Sequence, residues 1–258
     1  MLLEQLLADV PGMAGCIRCR DAQAWELPLR MAYQPIVDLR DRSIFAYEAL
    51  VRGPAGEGAQ SVLARVQPEQ LYTFDQTCRA VAISTAAKLG MDTRLSINFM
   101  PNAVYEPAAC IRITLAVAQK VGFPVDRLMF ELVESQDILD PAHVLGIFRD
   151  YARRGFTTAI DDFGAGYSGL TLLADFQPDV VKLDMGLVRG IDTDPARIAI
   201  VAGVVSMCRS LGCLVVAEGV ETRAEYAQLR ELGIDLMQGY LLARPELEAL
   251  PEPVFPDD

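Results

Sequence analysis

Apolar side chains along this chain follow two alternating rhythms, one of period two and one of helical period, and their order predicts an architecture. The first regular runs are strand-like, residues 33–38 and 44–51, joined by the polar turn 39–43. So short a link cannot make a parallel crossover, so these two strands should be antiparallel. Pro68 then opens a helix in its first turn, Leu71, Phe74, Cys78, Val81 and Leu89 recur at helical spacing, and Gly90 stops it. Strand 95–99, a helix over 107–121 and strand 128–133 follow. A helix opening at Asp140 and Pro141 carries Val144, Leu145, Phe148 and Tyr151 up to Gly155.

The alternation then repeats. Strand 157–162 precedes a short helix near 168–174, and strand 180–184 precedes a helix capped at Asp194 that ends by Gly212. Strand 213–218 leads to a helix with a capping box, Thr222 and Glu225, closed at Gly233. Strand 235–239 and a last helix near 246–250 complete the set. Eight strands, the later seven each followed by helical material, suit an α/β fold: a (β/α)8 TIM-like barrel with the first strand antiparallel to the rest. A doubly wound open sheet is the alternative, and it would spread the strand ends along a line instead of around one mouth. Residues 1–30 show no strand periodicity and read as an N-terminal leader with a helix at Leu3, Leu6 and Leu7, ahead of a barrel domain over 31–258.

Composition narrows the chemistry. A net charge of −12 provides no basic field for a DNA or RNA duplex, so any phosphate must be held by metals or a few chosen Arg and Lys. Glu4 and Asp9 stand where a secretory signal would be positive, and no uncharged apolar run is long enough for a membrane span, so a cytoplasmic setting is expected. The six cysteines are then expected as thiols, and Cys16 and Cys19 form a single CxxC with no second pair to complete a zinc site. His143 is the only histidine, which excludes imidazole-rich metal sites and Ser-His-Asp chemistry.

The polar residues at the strand ends form a series: Glu48, Asn98, Glu131, Asp161 with Asp162, Lys182 with Asp184, Glu218 and Gln238. One acid at a strand end is an ordinary surface charge, but a run of them with an amide and no imidazole describes a hard-cation site for Mg2+ or Mn2+. The acids suffice for two ions sharing a ligand, and two ions roughly 3.5–4 Å apart are the usual apparatus for splitting a phosphodiester. Lys182 and Asp184, two apart, should face one side of a strand; Lys182 could position or deprotonate a water, or balance the acids. Arg52 shares strand parity with Glu48 and could grip a phosphate or make a rim salt bridge. The triplet Asp162-Phe163-Gly164 occurs in protein kinases, but the His-Arg-Asp loop and glycine-rich nucleotide loop of a kinase are missing. A lyase barrel around one Mg2+ would explain the acids, though not Arg52 or the pairing of Asn98 with Pro101.

Glu48-Ala49-Leu50-Val51-Arg52 resembles the signature of the EAL-domain cyclic di-GMP phosphodiesterases. The likeness runs from Tyr33 to Pro245 and takes in Gln34, Asn98 with Pro101, Glu131 to Glu134, Asp161 to Gly164, Lys182 to Asp184, Ala217 to Thr222 and Gln238 to Tyr240. It implies hydrolysis of cyclic di-GMP to linear pGpG. Glu48, Asn98, Glu131 and Asp161 resemble ligands of a first ion, and Asp161, Asp162 and Glu218 ligands of a second. Lys182 is similar to a water-activating lysine supported by Asp184 and Gln238. Arg52, Gln34 and Leu50 resemble substrate contacts, and Glu134 and Glu221 resemble supports for the loop after Asp162. The resemblance also implies a homodimer whose contact is coupled to that loop, in which Ala165 and Gly169 depart from the common Thr and Ser. The family also includes catalytically idle receptors and adaptors that bind cyclic di-GMP or a protein partner through the same barrel. The complete ligand set here favours the enzyme.

Overall fold

The structure, a computed structural model, describes residues 22–133, 140–166 and 169–256. Strands β1 (Arg30–Asp38) and β2 (Ser43–Arg52) form the expected antiparallel hairpin, with Gln34 opposite Glu48. The remaining barrel strands run parallel to β2: β3 (Arg94–Phe99), β4 (Leu128–Val133), β5 (Thr157–Phe163), β6 (Val180–Leu183), β7 (Leu214–Ala217) and β8 (Leu236–Met237). β1 pairs with β8 on one side and β2 on the other, so the sheet closes into a barrel and the open-sheet alternative is excluded.

Helices α1 (Ala59–Leu63), α2 (Leu71–Lys88), α3 (Pro107–Val121), α4 (Pro141–Arg153), α5 (Gly169–Asp175), α6 (Met185–Val188), α7 (Pro195–Leu211) and α8 (Arg223–Glu231) fill the connections. Their ends follow local chemistry. Asp140 and Asp194 accept backbone N–H bonds at the starts of α4 and α7, Thr222 and Glu225 form the capping box of α8, and Gly122 and Gly212 end α3 and α7 in left-handed geometry. Within α2, fully buried Arg79 bonds Asp75 at 2.8 Å and the Tyr151 hydroxyl at 2.7 Å, tying α2 to α4.

Two expectations need correction. Residues 246–250 are not a helix: Glu246–Leu247 is a short strand, β9, antiparallel to β1 at Tyr33 and Ala32. The cause is an unfilled edge, because β8 covers β1 only at Val37 and Asp38, while Pro245 and Pro251 leave little room for a helix. β8 therefore has no helix after it, and it is two residues long where five were expected. The helices α1 and α6 were not anticipated. Leu3, Leu6, Leu7, Cys16 and Cys19 lie outside the described residues, whereas Trp25 and Leu29 are buried, the Trp25 ring edge-on to Phe74 at 4.9 Å. Among the described residues Cys78, Cys110, Cys208 and Cys213 are free thiols, and no helix is long and apolar enough to cross a membrane.

The barrel interior has its own small core: Ile36, Ala46, Met129, Ala159, Val180, Val216 and Leu236, one from each strand except β3. Inward positions recur every second residue. Two residues toward the mouth from this floor stand Gln34, Glu48, Glu131, Asp161, Lys182, Glu218 and Gln238. An apolar layer below and a polar layer above are thus set by one periodicity.

Candidate metal centre at the barrel mouth

Lys182 is the hub. Its fully buried Nζ lies 2.6 Å from Glu218, 2.8 Å from Glu131, 2.9 Å from Asp161 and 3.7 Å from Glu48. Four strands or strand ends therefore bring their acids to one cation, as the spacing along each strand requires. Around them, Asn98 Nδ2 donates to Glu48 Oε1 at 2.9 Å and Gln238 Nε2 to Glu48 Oε2 at 2.8 Å. Gln34 Nε2 donates to the Ala243 carbonyl at 3.0 Å, fixing Gln34 beside Gln238.

Asp161 and Asp162 are neighbours, and a regular strand would point them to opposite faces. The pairing of β5 with β6 shifts register between Ile160 and Phe163, and Asp162 has a left-handed φ of 53°. This bulge turns both acids to the mouth, at the expense of backbone strain. Close approach matters at the other rim too. A Cβ on Gly239 would lie 2.0 Å from the Val220 carbonyl oxygen, so only glycine lets the chain after Gln238 pass the Glu218 loop.

Two groups of carboxylates can each bring ligand oxygens within 4.8 Å of one another: Glu48, Glu131 and Asp161, and then Asp161, Asp162 and Glu218. Asp161 belongs to both. Five carboxylates against one ammonium leave an excess of negative charge, with Glu48, Glu131 and Asp161 buried and Asp162 and Glu218 partly so. The Asn98 Oδ1 beside them is buried with no hydrogen-bond partner. An all-oxygen donor set with an unsatisfied amide oxygen fits a hard divalent cation.

The protonation behaviour tells the same story. Burial pushes Glu131 up to about 8, with Lys182 pulling it down and Glu48 and Asp161 pushing it up. Burial, then the charge of Asp161, drives Glu218 well above the ordinary carboxylate range. Burial and the charges of Asp161 and Asp184 bring Asp162 to about 6. Burial opposes the Lys182 charge, but the fields of Asp161, Glu131, Glu218 and Glu48 outweigh it and hold the ammonium well above its usual value. Without cations, then, the cage holds protons and Lys182 is a donor, not a base.

The other candidates are placed differently. Asp184 lies just past β6 and caps α6, accepting from Gly186 N at 2.8 Å, while it also lines the mouth cavity of about 280 Å³ with Asp162, Glu221 and Tyr240. Glu221 pairs with Arg189 at 2.8 Å. Arg52 is half-buried at the end of β2 and donates to the Val51 carbonyl at 2.9 Å. Leu50 lines a separate apolar cavity of about 230 Å³ that shares Asn98 with the site. Neither Arg52 nor Leu50 lines the mouth cavity. Glu134 lies outside the described residues. Ser96, whose hydroxyl donates to Glu131 Oε1 at 2.5 Å, was not singled out from the sequence; its place two residues before Asn98 was the available signal.

The EAL domain family model matches residues 23–245. The cyclic di-GMP phosphodiesterase RocR of Pseudomonas aeruginosa is 36% identical over 264 aligned positions, 97% of this chain and 64% of its own length. The blue light- and temperature-regulated antirepressor BluF of Escherichia coli is 30% identical over 227 positions, 88% of this chain and 56% of its own length. The chain therefore spans less than two thirds of these curated relatives. Among solved structures, a standalone versatile EAL protein from Vibrio cholerae O395 in its c-di-GMP-bound form superposes with TM-score 0.87 and 49% identity, covering 90% of this chain and 98% of that one. Klebsiella pneumoniae BlrP1 in a manganese and cyclic di-GMP complex gives TM-score 0.82 and 38% identity, covering 88% and 58%.

Proposed function

This chain belongs to the EAL domain family, and from that premise we propose that it hydrolyses cyclic di-GMP to linear pGpG with two Mg2+ or Mn2+ ions at the barrel mouth. The observation that carries the proposal is the pair of carboxylate groups joined at Asp161. Relatives support the substrate: RocR is named as a cyclic di-GMP phosphodiesterase, and BlrP1 has been crystallised with manganese and the dinucleotide.

In this reading Glu48, Asn98, Glu131 and Asp161 hold one ion and Asp161, Asp162 and Glu218 the other. When bound, such ions neutralise charge on the phosphodiester and acidify an attacking water. Lys182, as a buried ammonium touching both groups of acids, balances their charge and donates a hydrogen bond that orients that water. Gln238 keeps Glu48 turned inward by its 2.8 Å bond. Asp184 borders the mouth and adds negative charge near Asp162. Arg52, Gln34 and Leu50 contact the substrate; Arg52 spends one N–H on the Val51 carbonyl and keeps four for a phosphate. Glu221, and Glu134 with it, steady the loop after Asp162. A homodimer belongs to the proposal on family likeness alone, and a cytoplasmic setting is carried into it as the expectation from the sequence.

The test is incubation with cyclic di-GMP and Mg2+ or Mn2+, followed by nucleotide chromatography. Accumulating pGpG that stops on chelation is the expected result. Tight binding of intact cyclic di-GMP without turnover would replace the enzyme with an idle receptor or adaptor, the reading favoured by the antirepressor description of BluF.

A further inference from the structure

We infer that Ser96 is a positioning residue for the metal centre: its hydroxyl fixes the Glu131 carboxylate in the orientation that presents it to a cation. This rests on the proposed metal-dependent reading and adds a residue to it. The floor of the barrel takes an apolar side chain from seven of its eight strands, and β3 is the exception. The inward residue of β3 at that depth is Ser96, in register with Met129 of the floor on β4 and with Glu48 on β2. Ser96 is fully buried. A hydroxyl among apolar neighbours is unfavourable unless bonded, so its presence needs a partner.

That partner is Glu131. Ser96 Oγ lies 2.5 Å from Glu131 Oε1, while Lys182 Nζ lies 2.8 Å from Oε2. A carboxylate oxygen can accept more than one bond. With one donor on each oxygen, the plane of the carboxylate is fixed and each oxygen keeps capacity for a cation. Lys182 alone would not fix it, because that ammonium is shared with Glu218, Asp161 and Glu48. Partners of this kind behind a metal ligand typically account for about 10–100-fold in metal affinity.

The experiment is calorimetric titration of the whole chain with Mn2+, comparing wild type with Ser96→Ala and Ser96→Thr. Ser96→Ala is expected to weaken one of two Mn2+ binding events by about tenfold or more and leave the other within about twofold. Ser96→Thr keeps the hydroxyl and should restore most of the loss. Unchanged isotherms for Ser96→Ala, or equal weakening by alanine and threonine, would overturn the assignment. Should Ser96→Ala fail to fold, Ser96→Thr still decides: a folded threonine variant within about twofold of wild-type affinity agrees with a hydroxyl role, and one weakened by about tenfold or more refutes it. Wild-type protein that takes up no Mn2+ would refute the metal centre itself, a separate result from a Ser96 variant that behaves like wild type.

Discussion

Replacing Lys182 by methionine keeps the length of the side chain and removes the only positive charge in the cage among the described residues. Three carboxylates lie within 2.9 Å of Nζ and a fourth at 3.7 Å. Breaking one buried pair by deleting a partner costs about 3–5 kcal/mol. The acids here share one ammonium, so that figure is applied once and not summed. For a domain of this size, about 2–4 °C per kcal/mol converts it to a fall of roughly 6–20 °C in Tm. The assay is a thermal melt near pH 8.5 in chelator and again in excess Mn2+. Lys182→Met should melt well below wild type in chelator and gain more from Mn2+ than wild type does, because a dication supplies the missing charge. Cyclic di-GMP cleavage should stay low, since the cation restores charge but not the hydrogen-bond donor. An unchanged Tm in chelator, or an equal gain from Mn2+ in both proteins, would refute the charge-balance argument.

The remaining predictions concern the same site. Asp161→Asn should abolish pGpG formation while leaving the chelated protein as stable as wild type or more so, because it removes one of several repelling acids; a variant with near-normal turnover would reassign the shared ligand. Glu131 at about 8 and Asp162 at about 6 lie above their ordinary values, so the folded, chelated protein retains protons that the unfolded chain has released. Their stabilisation is complete below the ordinary carboxylate range and is lost as pH rises through those two values. Cations compete with the same protons, so the Tm gained on adding Mn2+ should grow between pH 6 and pH 8.5, and a gain independent of pH would contradict the assignment. Gly239→Ala places a methyl 2.0 Å from the Val220 carbonyl; a loss of about 1–3 kcal/mol is expected by urea denaturation, and a wild-type midpoint would show that the two segments separate freely.

The layout of the barrel was legible because β2 and β4 to β8 each carry a polar residue two places beyond an apolar one. Ala46 and Glu48, Met129 and Glu131, Val180 and Lys182, and Leu236 and Gln238 all obey this rule. What escaped depends on contacts between distant segments. β9 forms because β8 is too short to cover β1, and nothing within residues 246–250 announces that deficit. The bulge that turns Asp161 and Asp162 the same way arises between β5 and β6, so strand parity alone would have separated them. Arg52 has the parity of Glu48, but a side chain at the end of a strand chooses among local acceptors, here the Val51 carbonyl. Ser96 stands two residues before Asn98, which gives it the same inward parity, but its bond to Glu131 follows only from the pairing of β3 with β4.

The most direct test of the cage is anomalous diffraction from crystals grown with Mn2+. Two peaks are expected, one among Glu48, Asn98, Glu131 and Asp161 and one among Asp161, Asp162 and Glu218, with Asp161 touching both. A single peak, or manganese bound away from these side chains, would contradict it.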